Sequence, residues 1–153
     1  MTATTRNRVA VLHGVNFDVL DRRNPEIYGG LSLSELEHKI SDWAHEAGLE
    51  PIFFQTNSEG EFCEYLHRAA DGLADAAIVN AGAWTHYSRA IADALELTRL
   101  PAVEVHLSDV EARDDWRKVS VFDGLVVEKI SGKGAEGYRD ALAVLARELG
   151  VAA

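Results

Sequence analysis

The chain has 153 residues, 47% of them hydrophobic and 26% charged, with a formal net charge of −10. That length suits one domain with a two-sided core. The acidity argues against a nucleic-acid or anionic-membrane partner, yet leaves room for a small anion held by a few clustered Arg and backbone N–H groups. Cys63 is the only cysteine, which excludes an intrachain disulfide and a thiolate metal cluster. Its setting beside Glu61 and Glu64 does not suit an activated thiolate. No stretch is apolar enough for a membrane span, and Met1 to Asn7 lacks the apolar core of a signal peptide. Residues 1–7 are expected to form a flexible arm ahead of a single domain over 8–150, and the expected compartment is the cytoplasm.

Short apolar runs alternate with amphipathic helical patterns along the chain. The runs are Val9–Leu12, Pro51–Phe54, Ala76–Val79, Ala102–Val105 and Leu125–Val127, bounded by Gly, Pro, Asn or Asp as buried parallel strands are. The first helix is expected over Ser32–Ala47, with Leu33, Leu36, Ile40, Trp43 and Ala47 on one face, a Ser32-Leu33-Ser34-Glu35 capping box and Gly48 as a stop. Similar patterns cover Glu59–Ala70, His86–Leu97 and Ala135–Leu149, while Val110–Trp116 is short and ambiguous. With right-handed crossovers, five such units favour a doubly wound five-stranded parallel sheet of order 2-1-3-4-5, the flavodoxin-like arrangement. Asn16–Gly30 breaks the rhythm as a long polar insertion after the first strand, either a surface excursion or a lid.

In such a sheet ligands bind beyond the carboxyl ends of the strands, where the strand order reverses. The first, third and fourth strands end there in unusual polar residues: His13 and Asn16; Asn80, Thr85 and His86; Glu104, His106 and Ser108. Period-two alternation puts Glu104, His106 and Ser108 on one face. A carboxylate near an imidazole fixes its tautomer and raises its basicity, which suits a general acid. The insertion adds Arg22, Arg23 and Tyr28, and the ambiguous segment adds Arg113 and Arg117. Guanidinium groups close to a tyrosine stabilise its phenolate. Together these are parts for removing a carbon-bound proton and protonating a departing hydroxyl, with no metal or cofactor.

The combination is also recognisable. Val11-Leu12-His13-Gly14-Val15-Asn16 with Arg23-Asn24-Pro25-Glu26-Ile27-Tyr28-Gly29 resembles the first block of the type II 3-dehydroquinate dehydratases. So do Phe53 to Glu61, Asn80 to His86, Val103 to Ser108 with Ala112-Arg113, and Gly132 to Tyr138, in the same order from Val9 to about Leu149. The resemblance implies an anti elimination of water from 3-dehydroquinate through an enolate, giving 3-dehydroshikimate. Tyr28 would be the base, its pKa lowered by Arg23 and Arg113. Asn16 would hold the water that stabilises the enolate. His106, oriented by Glu104, would be the acid. Asn80, Ser108 and the backbone N–H of Leu107 would hold the substrate carboxylate, and His86 and Arg117 the ring hydroxyls. Asp93 would reach a neighbouring subunit's site, since the family forms trimers packed into dodecamers.

Gly132-Lys133-Gly134-Ala135-Glu136-Gly137 also satisfies a dinucleotide-binding glycine pattern, but that reading needs a further strand with an acidic residue about 20 positions on. No such strand follows before Ala153, so a tight strand-to-helix turn is expected. The chain departs from the family pattern in several places. The family usually has Asn and Pro at His13 and Val15, Asn at Asp18, Gly at Asp21, Glu at Asn24, Arg at Ala92, Asn at Asp109, His at Glu111 and a His pair at Lys118-Val119. A carboxylate at Asp109 within roughly 6 Å of a substrate carboxylate would cost on the order of 1–3 kcal/mol; the other reading turns it to solvent or onto Arg113. Two alternatives therefore stand beside the dehydratase: a paralogue adding or eliminating water on another cyclic hydroxy-ketone, and a non-catalytic small-molecule binder. The joint presence of Tyr28, Arg23 and His106 argues against a pure binder.

Overall fold

The computed structural model describes residues 5–151. Its centre is a parallel sheet of order β2-β1-β3-β4-β5, as the alternating pattern predicts. The strands are β1 (Arg8–His13), β2 (Glu50–Gln55), β3 (Ala76–Asn80), β4 (Ala102–Val105) and β5 (Glu128–Ile130). The helices are α1 (Pro25–Tyr28), α2 (Leu33–Glu46), α3 (Glu59–Arg68), α4 (Arg89–Thr98) and α5 (Glu136–Leu149).

The unbroken apolar runs follow from burial on both faces of the sheet. Val9 and Val11 of β1, with Ile78, Val103 and Val105, face α2 and α5; Ala10, Leu12, Ala77 and Val79 face α3 and α4. In α2, Leu36, Ile40 and Ala44 are buried while Leu33 and Trp43 pack at the margin. Its capping box is present in full, with Ser32 Oγ accepting from Glu35 N–H and Glu35 Oε1 accepting from Ser32 N–H.

Four boundaries differ from expectation. Leu125–Val127 is not the fifth strand: Leu125 N–H closes a turn onto Phe122 O, and pairing with β4 begins in earnest at Glu128. Leu125 and Val126 pack beside the sheet, Val127 is exposed with its N–H donating to Ala102 O, and Glu128-Lys129-Ile130, with only Ile130 buried, forms the edge strand. The fourth helix starts at Arg89 rather than His86, because Ser88 Oγ caps it by accepting from Ile91 N–H. Gly82–His86 instead forms a 3-10 turn. Val110–Trp116 resolves into two 3-10 turns, Val110–Ala112 and Asp115–Lys118. Of the arm expected over residues 1–7, residues 1–4 lie outside the described residues; Asn7 O already accepts from Glu50 N–H, so ladder pairing starts inside the expected arm. Cys63, on α3, has its thiol pKa pushed up by burial and then by Glu59. No helix among the described residues is long and apolar enough to cross a membrane.

Candidate active site

At the switch point the ends of β1 and β3 come very close. A Cβ on Gly14 would lie 2.3 Å from the Ala81 carbonyl oxygen, so only glycine fits, and Gly14 N–H donates to Asn80 O at 2.9 Å. The chain then leaves β1 through Asn16, which holds a left-handed conformation (φ 72°) with its N–H donating to Asn57 Oδ1 at 2.8 Å. This sends the Asn16–Gly30 segment back across the strand ends as an ordered 3-10 turn (Phe17–Arg22) followed by α1, with Phe17 and Leu20 buried. Between it and the ends of β3 and β4 lies a cleft of about 150 Å³.

One wall carries a tyrosine held by two arginines. Arg23 Nη2 donates to Tyr28 Oη, and Arg113 Nη1 donates to the same oxygen at 2.8 Å. Both guanidinium groups also cover the ring, with Cζ 4.1 Å and 5.3 Å from its centroid. Arg113 Nη1 reaches Ser108 Oγ at 3.3 Å, so the insertion is tied to the end of β4.

Another part of the lining is an imidazole backed by a carboxylate. His106 Nε2–H donates to Glu104 Oε2 at 2.5 Å, and Ser120 Oγ donates to Glu104 Oε1 at 2.8 Å. Glu104 is fully buried, so both its oxygens need donors, and the two contacts supply them. With Nε2 occupied, Nδ1 is the His106 nitrogen available to a ligand. His86 lies beside it, ring centroids 6.1 Å apart, and its Nδ1–H donates to Val119 O at 2.7 Å. Burial, then the neighbouring His106 and Arg117, lowers the His86 pKa, so Nε2 of a neutral ring is its acceptor. Trp116 stacks edge-on against His86 at 5.2 Å, and the Arg117 guanidinium lies 4.1 Å over the Trp116 ring.

Asn16, Arg23, Tyr28, Asn80, His86, His106, Leu107, Ser108, Arg113 and Arg117 all border the cleft. Glu104 does not; it stands behind His106, because β4 ends at Val105 and the chain turns before the imidazole. Asp93 is exposed on α4, outside this cleft, and exposed Arg22 does not line it either. Sequence reasoning missed Phe17, Leu20 and Val110 in the lining, and Ser120 behind Glu104. The apolar pattern inside the insertion was a usable signal for Phe17 and Leu20; Ser120 left none. Among the described residues no group of three or more His, Cys, Asp or Glu is placed to hold a metal ion.

The Dehydroquinase class II family model matches residues 7–146. The chain belongs to the class II dehydroquinase family. A 3-dehydroquinate dehydratase from Syntrophotalea carbinolica is 47% identical over 131 residues, covering 86% of this chain and 88% of that protein. One from Pelobacter propionicus is 44% identical over 135 residues, covering 88% and 91%. The crystal structure of a type II dehydroquinase from Propionibacterium acnes superposes with a TM-score of 0.88 at 37% identity, covering 95% of this chain and 99% of that one.

Seen in a class II dehydroquinase, the acidic departures lie away from the cleft wall. Asp109 is exposed and its Oδ1 accepts from Glu111 N–H at 3.2 Å, capping a turn. Asp18 Oδ2 accepts from Asn57 Nδ2 at 3.1 Å, and neither Asp borders the cleft. The Gly132–Gly134 turn buttresses the Leu107–Ser108 segment: Gly132 N–H donates to Ser108 O and Gly134 N–H to Leu107 O, at 3.0 and 3.2 Å. Those glycines serve a strand-to-helix turn.

Proposed function

We infer that this class II dehydroquinase removes water from 3-dehydroquinate by an enolate route, giving 3-dehydroshikimate. The observation that carries the assignment of roles is the Tyr28 oxygen accepting two arginine hydrogen bonds in the same cleft as a carboxylate-backed imidazole. An oxygen with two cationic donors is suited to hold negative charge. Tyr28 takes the proton from the carbon between the ketone and the hydroxyl-bearing carbon. The electron pair moves into the enolate, which a water held by Asn16 stabilises. The carbon–oxygen bond then breaks, and the leaving hydroxyl takes a proton from His106 Nδ1 to depart as water. Glu104 stabilises positive charge on the imidazole while that proton is held.

Asn80, Ser108 and the Leu107 N–H hold the substrate carboxylate, with Arg113 adding charge beside Ser108. His86 and Arg117 hold the ring hydroxyls. Asp93, exposed on α4 and outside its own cleft, completes the site of a neighbouring copy in a trimer-based dodecamer. With a lone, unpaired Cys63, the enzyme works in the reducing cytoplasm as a single domain over residues 8–150.

The direct test is a spectrophotometric assay of purified protein with 3-dehydroquinate, reading the conjugated enone of the product with and without a chelator. Equal turnover in both is expected. No turnover by folded protein at millimolar substrate would remove the reading. Light scattering at micromolar concentration checks the assembly, and a monomer there would contradict the role given to Asp93.

A further inference from the structure

Beneath the cleft runs a chain of three buried polar side chains, Asn80, Tyr138 and His13. The contacts at Asn80 set its direction. Gly82 N–H lies 3.4 Å from Asn80 Oδ1, so that atom is the acceptor and the amide NH2 turns to Tyr138, donating to Oη at 3.0 Å. The reverse amide orientation would set NH2 against a backbone N–H. The Tyr138 hydroxyl has a single hydrogen. Its oxygen already accepts from Asn80, and its other polar neighbour is His13 Nε2 at 2.8 Å. The hydrogen therefore goes to His13 and Nε2 carries the lone pair; the proton of the neutral ring sits on Nδ1, a buried nitrogen with no hydrogen-bond partner among the described residues. Two further observations agree. Burial lowers the His13 pKa to about 3 and raises that of Tyr138, so both stay neutral at ordinary pH. Phe17, in the cleft lining, stacks on the imidazole at 4.8 Å and fixes its plane.

We propose that His13 and Tyr138 are positioning residues: His13, as an Nδ1-protonated acceptor, orients the Tyr138 hydroxyl, which orients the Asn80 amide so that an N–H, not a carbonyl oxygen, is kept for an anionic ligand. The proposal rests on the assignment of Asn80 to the substrate carboxylate. The opposite tautomer would reverse every link. His13 Nε2–H would donate to Tyr138, the hydroxyl hydrogen would turn to Asn80, and the amide would flip its oxygen toward the carboxylate. The site of one buried proton thus decides whether Asn80 attracts or repels the ligand.

The tautomer is read from side-chain 15N NMR of the 15N-labelled protein at neutral pH, with His13 assigned by its absence in His13→Gln. The expected signature is a protonated Nδ1 and a hydrogen-bonded, unprotonated Nε2. A protonated Nε2 or a charged ring would overturn the proposal. This measurement needs no substrate, so it can fail while the dehydratase reading stands, and the reverse. Kinetics supply the second arm. Tyr138→Phe keeps the ring and should raise the KM for 3-dehydroquinate about tenfold while kcat changes less than about threefold, as expected for loss of an ordering hydrogen bond beside a charged ligand group. His13→Gln offers an acceptor oxygen near the Nε2 position and should keep a KM several-fold lower than His13→Leu. An unchanged KM in Tyr138→Phe, or equal kinetics for the two His13 variants, would count against the chain.

Discussion

The two walls of the cleft are built in opposite ways. Glu104, His106 and Ser120 sit in or against the end of the sheet, at 0%, 6% and 8% exposure. Arg23, Tyr28 and Arg113 come from an insertion and a turn, only half buried, and hold one another through side-chain contacts. A buried carboxylate is costly unless every oxygen is matched, and a matched set needs a backbone that does not move. Two guanidinium groups on one oxygen repel each other, and contact with water screens that repulsion. The rigid strand end thus suits the proposed acid and its support, and the ordered insertion suits the proposed base.

Variants on the two walls sharpen this contrast. The largest effect is expected at Tyr28→Phe, with kcat lowered about 10²–10⁴-fold and the fold intact, because one oxygen is lost without change of volume. Steady-state kinetics with circular dichroism checks it; more than about a tenth of the wild-type rate would mean that Tyr28 is not the base.

On the buried wall the expected losses are graded by charge. Glu104→Gln should lower kcat about 10–100-fold, as for a hydrogen bond to a charged group, and Ser120→Ala about 3–10-fold, as for a neutral donor. Equal losses in the two variants would show that Ser120 does more than satisfy Glu104.

A smaller expectation concerns stability in acid. The His13 pKa falls from 6.5 to about 3 on folding, so between those values the unfolded chain binds the extra proton. Stability therefore falls as pH drops through that window, by up to about 1.4 kcal/mol per pH unit from this one group. Urea midpoints from pH 7 to pH 4 should flatten by about one proton's worth in His13→Gln. An unchanged slope would mean that other groups dominate. The smallest effect is expected at Asp109→Asn. Asn can still cap the turn, so kcat/KM for 3-dehydroquinate should change less than about twofold. A marked rise would show that the carboxylate repels the substrate after all.

The sheet order was legible because burial writes continuous apolar runs, even in edge strand β2, and β5 was misplaced because Glu128-Lys129-Ile130 has one buried residue and follows a more apolar tripeptide. The Glu104–His106 pair was legible from period-two spacing. Tyr28 and Arg23 lie in a polar insertion, where a tyrosine near guanidinium groups made them candidates by chemistry, and their separate roles came from family resemblance. Ser120 was illegible because its partner lies 16 residues away and Val119-Ser120-Val121-Phe122 carries no chemical pattern. Tyr138 reads as an ordinary core aromatic of α5, and only folding sets its hydroxyl between Asn80 and His13.

The division of labour between the walls is tested most directly by hydrogen exchange into unreacted 3-dehydroquinate in D2O, followed by proton NMR with His106→Ala and Tyr28→Phe. If Tyr28 removes the proton and His106 serves only the departing hydroxyl, His106→Ala should exchange hydrogen at the carbon beside the ketone faster than the uncatalysed rate while forming little product. Tyr28→Phe should do neither. Enzyme-catalysed exchange by Tyr28→Phe, with none by His106→Ala, would contradict the account.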